Sequence, residues 1–206
     1  MNKLNALFKA VLVLSIVVLV GGCAAPAGVY ARYDFGPLPA LVSSPTAAMM
    51  TLPAISLADV TAPAGLDNTM MMYRLAYAND LQLRPYATSR WTMSPAQLFS
   101  QRLKARFGQV GGAVVSVSDG ALNVPVLRID MDDFSQIFDS ASHSVVKVTI
   151  RASIFNGRLL LGQKMFSHSV ATPTPDAAGG ARAFSVANDA LIDDLMEWLA
   201  ALPLKK

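Results

Sequence analysis

Residues 144–170 read SVVKVTIRASIFNGRLLLGQKMFSHSV, and this stretch decides the fold. In its first half apolar and polar side chains alternate. Val146, Val148, Ile150, Ala152 and Ile154 fall on one side, and Lys147, Thr149, Arg151 and Ser153 on the other. Period two is typical of a strand with one buried and one wet face. Asn156-Gly157 suits a tight hairpin turn, so Arg158–Val170 is predicted to return as the antiparallel partner.

The segments before this hairpin extend the same sheet. Val124–Asp132 alternates in the same way, which predicts an antiparallel meander of three strands. Pro85 predicts an edge or a bulge where it falls, because proline cannot donate to a sheet ladder. Shorter strands are predicted over Tyr30–Phe35, around Ile55–Leu57, and over Met70–Ala78, Leu81–Trp91 and Ala113–Val117.

Two amphipathic helices are predicted. Ser94-Pro95-Ala96-Gln97 is a helix start, with Ser at the N-cap, Pro in the first turn and Gln three residues after the cap. Phe99, Leu103 and Phe107 form its buried stripe, whereas Arg102, Lys104 and Arg106 are expected to be a solvated face, with a binding role as the alternative. The second helix is predicted over Ala181–Leu202, with Asp189, Asp193, Asp194 and Glu197 facing outward. The fold class is therefore α+β: an antiparallel β-sheet with two amphipathic helices packed on one face.

The N-terminus carries a secretory leader that ends at a cysteine. Lys3 and Lys9 are followed by a short apolar run, and Val20-Gly21-Gly22-Cys23 closes it. An apolar residue, two small residues and Cys form a bacterial lipobox, in which the thiol accepts diacylglycerol and the freed amine a further chain such as palmitate. We expect residues 1–22 to be a cleaved signal peptide, 23–29 a lipidated tether and 30–203 one domain. The alternative is a signal peptide with a chance cysteine nearby.

The tether and the residue after the cysteine predict where the domain sits. Cys23 is followed by Ala24 rather than Asp, which in a Gram-negative cell favours export to the outer membrane. Ala24–Val29 spans at most about 20 Å when extended. We therefore expect a lipid-anchored domain held close to the periplasmic face of that membrane.

Charge and cysteine usage exclude several classes of protein. The chain has 17 basic and 14 acidic residues, and the leader accounts for two of the lysines, so the mature chain is nearly neutral. Such a chain has no electrostatic basis for binding nucleic acid. Its one cysteine lies at the cleavage point, so no disulfide within the chain is expected.

No constellation of residues indicates catalysis, a metal or a cofactor. His143 and His168 have no cysteine or carboxylate at metal-ligand spacing. Asp130, Asp132 and Asp133 resemble an acidic cluster, but their alternation places them on the wet side of a strand. No nucleophile elbow, phosphate loop or dinucleotide motif occurs. The sequence predicts a protein that is not an enzyme, and a hydrolase would require a cleft that brings a histidine beside Ser and Asp.

Four aromatic residues within nineteen positions are candidates for contact with a partner or a lipid. They are Tyr73, Tyr77, Tyr86 and Trp91. Core packing is the common role of such residues, and an exposed aromatic patch is the alternative.

Several short motifs follow the lipobox in a definite order. They are Tyr33-Asp34-Phe35-Gly36-Pro37; Pro63, Leu66-Asp67 and Met72-Tyr73-Arg74; and Tyr86, Arg90-Trp91 and Ser94-Pro95 with Leu98 and Leu103. Each motif is degenerate, but their order resembles that of the auxiliary lipoprotein family of ABC-type transport systems, which includes paraquat-inducible protein C.

The resemblance implies a non-catalytic outer-membrane component. Such proteins act with an ABC permease and ATPase and with a protein bearing mammalian-cell-entry domains, and they move lipids or hydrophobic compounds between membranes. Residues 30–203 would then be the auxiliary lipoprotein domain, and Cys23 is the one residue with a defined role. A homo-oligomer is among the expected assemblies. The alternative of a different class is an outer-membrane assembly lipoprotein, an accessory of lipopolysaccharide or barrel insertion.

Overall fold

The structure, a computed structural model, describes residues 29–40 and 52–204. The predicted leader, Cys23 and most of the predicted loop at 38–53 lie outside the described residues. Within them the chain forms eight strands in one sheet and two long helices. The elements are β1 (Ala31–Tyr33), β2 (Ile55–Leu57), β3 (Met70–Leu75), β4 (Asn79–Trp91), α1 (Pro95–Gln109), β5 (Val114–Ser116), β6 (Val126–Phe138), β7 (Ser144–Asn156), β8 (Leu159–Ala171) and α2 (Ala177–Ala201).

Strand β6 is the centre of the sheet. Strand β7 pairs antiparallel with it over its whole length, from Val126 opposite Phe155 to Phe138 opposite Ser144, and β8 pairs antiparallel with β7. The predicted meander of three strands is therefore confirmed. On the other side of β6, β3 pairs with its end and β2 with its start, and both pairs are parallel.

The α+β class is confirmed, but the sheet is mixed rather than antiparallel. Strand β1 is parallel to β4, and β2 is parallel to both β5 and β6. Side-chain alternation shows which face of a strand is buried, but it does not encode the direction of the neighbouring strand. The parallel pairs all involve the short strands β1, β2 and β3, whose partners are distant in sequence.

Both helices cover one face of the sheet, as predicted. The predicted inward residues of β7 are fully buried, and so is the stripe of Phe99, Leu103 and Phe107 on α1. Helix α1 begins as expected, with Ser94 at the N-cap, and Gln97 Oε1 accepts a hydrogen bond from the Ser94 N–H at 3.2 Å. The opposite face of β6–β8 carries the polar residues of the alternation.

Helix α2 begins four residues before the predicted start. Asp176 is its N-cap, and its carboxylate accepts a hydrogen bond from the Gly179 N–H at 2.7 Å. The predicted helix left out Gly179 and Gly180, but both lie in the first turn of α2, where close neighbours leave no room for a side chain. A Cβ at Gly179 would lie 2.0 Å from the Thr174 carbonyl oxygen, and one at Gly180 would lie 2.3 Å from Gln136 Oε1.

Strand β6 is longer than predicted because a bulge changes its alternation. The register shifts between Met131 and Asp133, so Phe134, Gln136 and Phe138 face the helices after the bulge. The sequence prediction ended at Asp132, where the alternation breaks. The break marks an extra residue in the strand, not its end.

Candidate functional site

The segment Tyr33–Pro37 fixes the N-terminal part of the described chain to the domain. Thr92 N–H donates to the Tyr33 carbonyl at 2.8 Å, next to the short parallel pairing of β1 with β4. The Asp34 carboxylate then accepts the Gly36 N–H at 2.8 Å and closes a tight turn. Gly36 has φ +67°, a left-handed conformation that glycine adopts without strain.

This turn places Phe35 in the core as a plug. Its ring lies 5.8 Å from Trp91 and 6.2 Å from Phe134, measured between ring centroids. Phe134 in turn stacks on Phe184 of α2 at 4.1 Å. The turn that follows β1 is therefore packed against β4, β6 and α2 together.

Polar contacts from both helices secure the same turn. Arg102 donates from Nη1 to the Gly36 carbonyl at 3.0 Å, and Ser185 Oγ donates to the Phe35 carbonyl at 2.7 Å. Arg102 also binds Asp189 of α2 through Nε to Oδ1 at 2.6 Å and Nη2 to Oδ2 at 2.7 Å. The prediction of a solvated face was wrong for Arg102, because α2 covers it and only 6% of its side chain is exposed.

Two further contacts engage charged residues of the helices that were expected to face solvent. Arg106 binds Asp193 at 3.0 Å, and this hydrogen bond raises the pKa of the guanidinium. His168 Nε2 lies 2.8 Å from Asp194 Oδ2. Of the predicted basic face only Lys104 is exposed, and it reaches the Ser116 hydroxyl at 2.8 Å. The charges on the facing sides of the helices thus bind each other.

Two of the four aromatic candidates, Tyr73 and Tyr86, contact each other. Their ring centroids are 4.7 Å apart and both residues are half-buried. Tyr86 donates to Gln136 Oε1 at 3.1 Å, and Gln136 Nε2 donates to Ser144 Oγ at 2.9 Å and to the Asp176 carbonyl at 3.2 Å. Burial raises the pKa of the Tyr86 hydroxyl, and the nearby Asp176 carboxylate adds to the shift. The pair therefore belongs to a polar network beneath the N-terminus of α2.

The other two candidates lie elsewhere. Trp91 is 1% exposed and sits between Phe35, Phe134 and Phe184, so it offers no surface to a partner and the contact role is corrected to core packing. Tyr77 is 53% exposed in the turn between β3 and β4, because β3 ends at Leu75 and not at Ala78 as predicted. The aromatic cluster is thus divided among core, network and surface.

The buried partners Phe35, Gln136 and Arg102 were missed as functional or supporting residues. Phe35 had a signal, because an apolar residue between Asp34 and a Gly-Pro stop is out of place in a solvated loop. The sequence signal for Gln136 was weaker: it lies at period two between Phe134 and Phe138. Nothing in the sequence pattern of α1 distinguishes Arg102 from Lys104.

The described residues contain little that resembles catalytic chemistry. His143 Nδ1 lies 2.6 Å from Asp139 Oδ2 at the surface, and neither histidine shares a hydrogen bond with a serine in the part of the chain that the structure describes. Two open clefts of about 220 Å³ and about 500 Å³ flank the Phe35 turn, and neither is lined by histidine. Asp132 binds Arg151 at 3.0 Å and Asp133 binds Ser135 at 2.8 Å, so the acidic residues are engaged by other side chains.

Across 29–40 and 52–204, no group of three or more His, Cys, Asp or Glu side chains is close enough to hold a metal ion. No helix in these ranges combines the length and apolar composition needed to cross a bilayer.

Residues 33–196 match the family model for the ABC-type transport auxiliary lipoprotein component. The chain belongs to this family. The match begins at the first residue of the Tyr33–Pro37 turn and ends in α2, so it includes this turn and the network beneath α2. A search of curated proteins finds no significant match.

Solved structures show the same fold. A protein of Xanthomonas campestris from the family DUF330 is similar over 82% of this chain and 93% of its own, with 17% identity and a TM-score of 0.69. An uncharacterised protein covers 82% of this chain and 98% of its own, with 13% identity and a TM-score of 0.64. At these identities the likeness supports the fold alone. Membership of the auxiliary lipoprotein family associates this chain with an ABC transport system.

Proposed function

We propose that this protein is a periplasmic lipoprotein anchored to the outer membrane through acylated Cys23, and a non-catalytic auxiliary subunit of an intermembrane transport system for lipids or hydrophobic compounds. Its partners are an ABC permease and ATPase and a protein with mammalian-cell-entry domains. The proposal rests on the family assignment together with the way the N-terminal segment is built into the domain.

The observation that carries the proposal is the Phe35 plug. A flexible tether would let an anchored domain move freely, whereas here the chain enters the core twelve residues after Cys23. Both helices and the residue after β4 hold this turn through the contacts of Arg102, Ser185 and Thr92. Such an attachment suits a subunit whose position relative to the membrane matters for docking.

The chemistry of the described surface supports a binding subunit over an enzyme. The histidines pair with exposed carboxylates, and Asp132 and Asp133 are engaged by Arg151 and Ser135. A role in binding needs a stable shape, and the core provides it through a continuous set of buried aliphatic and aromatic residues from the sheet and both helices.

The experiment compares three forms of the full-length protein in a Gram-negative host. The wild type should fractionate with the outer membrane, and intact mass should show acyl chains on Cys23. Cys23→Ala should carry no acyl chains and should be absent from the outer-membrane fraction, and Ala24→Asp should keep its acyl chains but remain in the inner membrane. Both variants should fail to complement a deletion strain although they fold.

Full complementation by Cys23→Ala would contradict the proposal of an anchored subunit. Complementation by Ala24→Asp would contradict the outer-membrane location but not the lipid anchor. A circular dichroism spectrum and thermal transition matching the wild type keep misfolding from explaining a loss of function.

A further inference from the structure

The tip of the β3–β4 hairpin carries apolar side chains in solvent. Leu81 is 87% exposed and Tyr77 is 53% exposed, and they lie four residues apart around the turn. The hairpin extends past the end of β6, because Leu75 pairs with Phe138, the last residue of that strand. Exposure of the Leu and Tyr side chains to water costs free energy. Contact with an apolar or interfacial surface would remove that cost.

The direction of β1 relates this tip to the lipid anchor. Strand β1 runs parallel to β4, with Ala31 opposite Ser89, so the chain before Ala31 lies toward the Leu81 end of β4. Cys23 precedes Ala31 by eight residues, and Leu81 precedes Ser89 by eight residues. Eight residues reach at most about 28 Å fully extended and about 26 Å along a strand.

These two lengths limit how far the membrane surface can lie from the hairpin tip. A lipid on Cys23 cannot lie farther from Ala31 than about 28 Å, and the hairpin tip lies nearly as far from Ser89. With the strands upright and the N-terminal segment leading down, the tip therefore meets the surface in which the acyl chains are inserted.

The charge beside this end fits an anionic phospholipid. Arg74 and Arg84 lie on the two strands next to the turn, with Arg74 opposite Leu83 and Arg84 opposite Tyr73. In the described ranges neither of these two arginines forms an ion pair with a carboxylate. Tyrosine and arginine are common at bilayer interfaces, where each has an apolar stem and a polar end.

We propose that the β3–β4 hairpin tip, through Leu81 and Tyr77, contacts the phospholipid surface that holds the Cys23 acyl chains, with the neighbouring arginines facing anionic headgroups. The contact gives the domain a second point of attachment and sets its orientation. This inference rests on the proposed acylation of Cys23.

The opposite end of the domain offers a matched control. The β7–β8 hairpin lies beside the start of β6, because Phe155 pairs with Val126. It carries Leu159, which is 66% exposed. The thirteen residues of β6 between the two ends span about 40 Å, so a membrane contact at one hairpin excludes the other.

The experiment places a fluorophore at each end of the acylated full-length protein. Leu81→Cys and Leu159→Cys each add one free thiol, since Cys23 is blocked by its lipid, and each is labelled with nitrobenzoxadiazole. The protein is reconstituted in vesicles of phosphatidylethanolamine and phosphatidylglycerol that contain a headgroup nitroxide lipid. Ala78→Cys is a second label position at the tip.

The label at Leu81→Cys or Ala78→Cys should show blue-shifted emission and several-fold stronger quenching than the label at Leu159→Cys. Replacing phosphatidylglycerol by phosphatidylcholine should reduce that quenching. If the protein floats with the vesicles but the label at the tip is not quenched, or is quenched no more than the label at Leu159→Cys, the proposed membrane contact is wrong. Protein that lacks acyl chains and does not float would instead contradict the proposed function.

Discussion

The Arg102 guanidinium of α1 holds the Asp189 carboxylate of α2 through two parallel hydrogen bonds of 2.6 and 2.7 Å. Its remaining nitrogen binds the Gly36 carbonyl, so one side chain joins both helices to the turn that follows β1. This links the packing of the helices to the attachment of the N-terminal segment. Planar bidentate recognition of this kind requires arginine and not lysine.

Replacing Arg102 should destabilise the domain more than replacing its neighbour. Arg102→Met leaves Asp189 mostly buried without its partner, and we expect a loss of about 3 kcal/mol in the free energy of unfolding. Arg106→Met breaks a pair whose carboxylate is partly exposed and should cost about 1 kcal/mol or less. Urea denaturation of both variants measures the difference, and equal losses would contradict the role given to Arg102.

Removing the Phe35 ring should loosen the N-terminal attachment. Phe35→Ala leaves a cavity between Trp91 and Phe134 and should cost about 3–5 kcal/mol in the free energy of unfolding. Hydrogen exchange at the Thr92 N–H should accelerate, because that amide is bonded to Tyr33. The exposed Val29→Ala serves as the control, and unchanged Thr92 protection in Phe35→Ala would show that the ring does not hold β1.

The glycines of the two helices should respond to alanine with opposite signs. At Gly108 in α1 a new Cβ meets nothing within 4 Å, so Gly108→Ala should stabilise by about 0.5–1 kcal/mol. At Gly179 the Cβ would lie 2.0 Å from the Thr174 carbonyl oxygen, so Gly179→Ala should destabilise. Thermal and urea unfolding give both signs, and stabilisation by both substitutions would refute the close approach at α2.

The N-cap of α2 should make stability depend on pH. Hydrogen bonds from the Gly179 N–H, and then from the Thr174 hydroxyl, lower the pKa of Asp176 below its ordinary value of 3.8. The charged cap therefore adds stability above the unfolded pKa, and this is lost as the pH falls through the lowered folded pKa.

Asp176→Asn keeps an acceptor at every pH and isolates the charge. Because Asp176 is exposed, the wild type should be more stable than the variant by about 0.5 kcal/mol at pH 7, and by less at about pH 2. Urea titrations at the two pH values decide this. A difference that does not shrink at the lower pH would mean that the carboxylate charge contributes nothing to the cap.

The sequence determines single elements of this fold better than their arrangement. The burial of β7 and of the Phe99 stripe follows from sequence periodicity. The period of a single strand or helix is enough to show which of its faces is buried. The parallel pairing of β1 with β4 depends on residues far apart in the chain, and no local pattern encodes it. Tyr77 continues the period of two in the sequence, but β3 ends at Leu75 and Tyr77 lies in the turn that follows.

The candidate site was predicted only in part, because the burial of some of its residues depends on elements distant in the sequence. Arg102 and Lys104 look alike in the pattern of α1, and only the position of α2 makes one buried and the other exposed. The start of α2 was missed because Gly179-Gly180 is usual in loops, whereas here the crowding by Thr174 and Gln136 requires glycine inside a helix. The family motif at Tyr33–Pro37 was recognised, and the plug formed by Phe35 emerged from the tertiary packing.

The most direct test of the proposed function is the identity of the proteins that the full-length acylated lipoprotein binds in its own cells. After mild crosslinking, affinity isolation of the tagged wild type should recover an ABC permease, an ATPase and a protein with mammalian-cell-entry domains, and Cys23→Ala should lose them. Recovery of an outer-membrane barrel and its assembly factors, without transporter components, would contradict the account and favour an assembly lipoprotein.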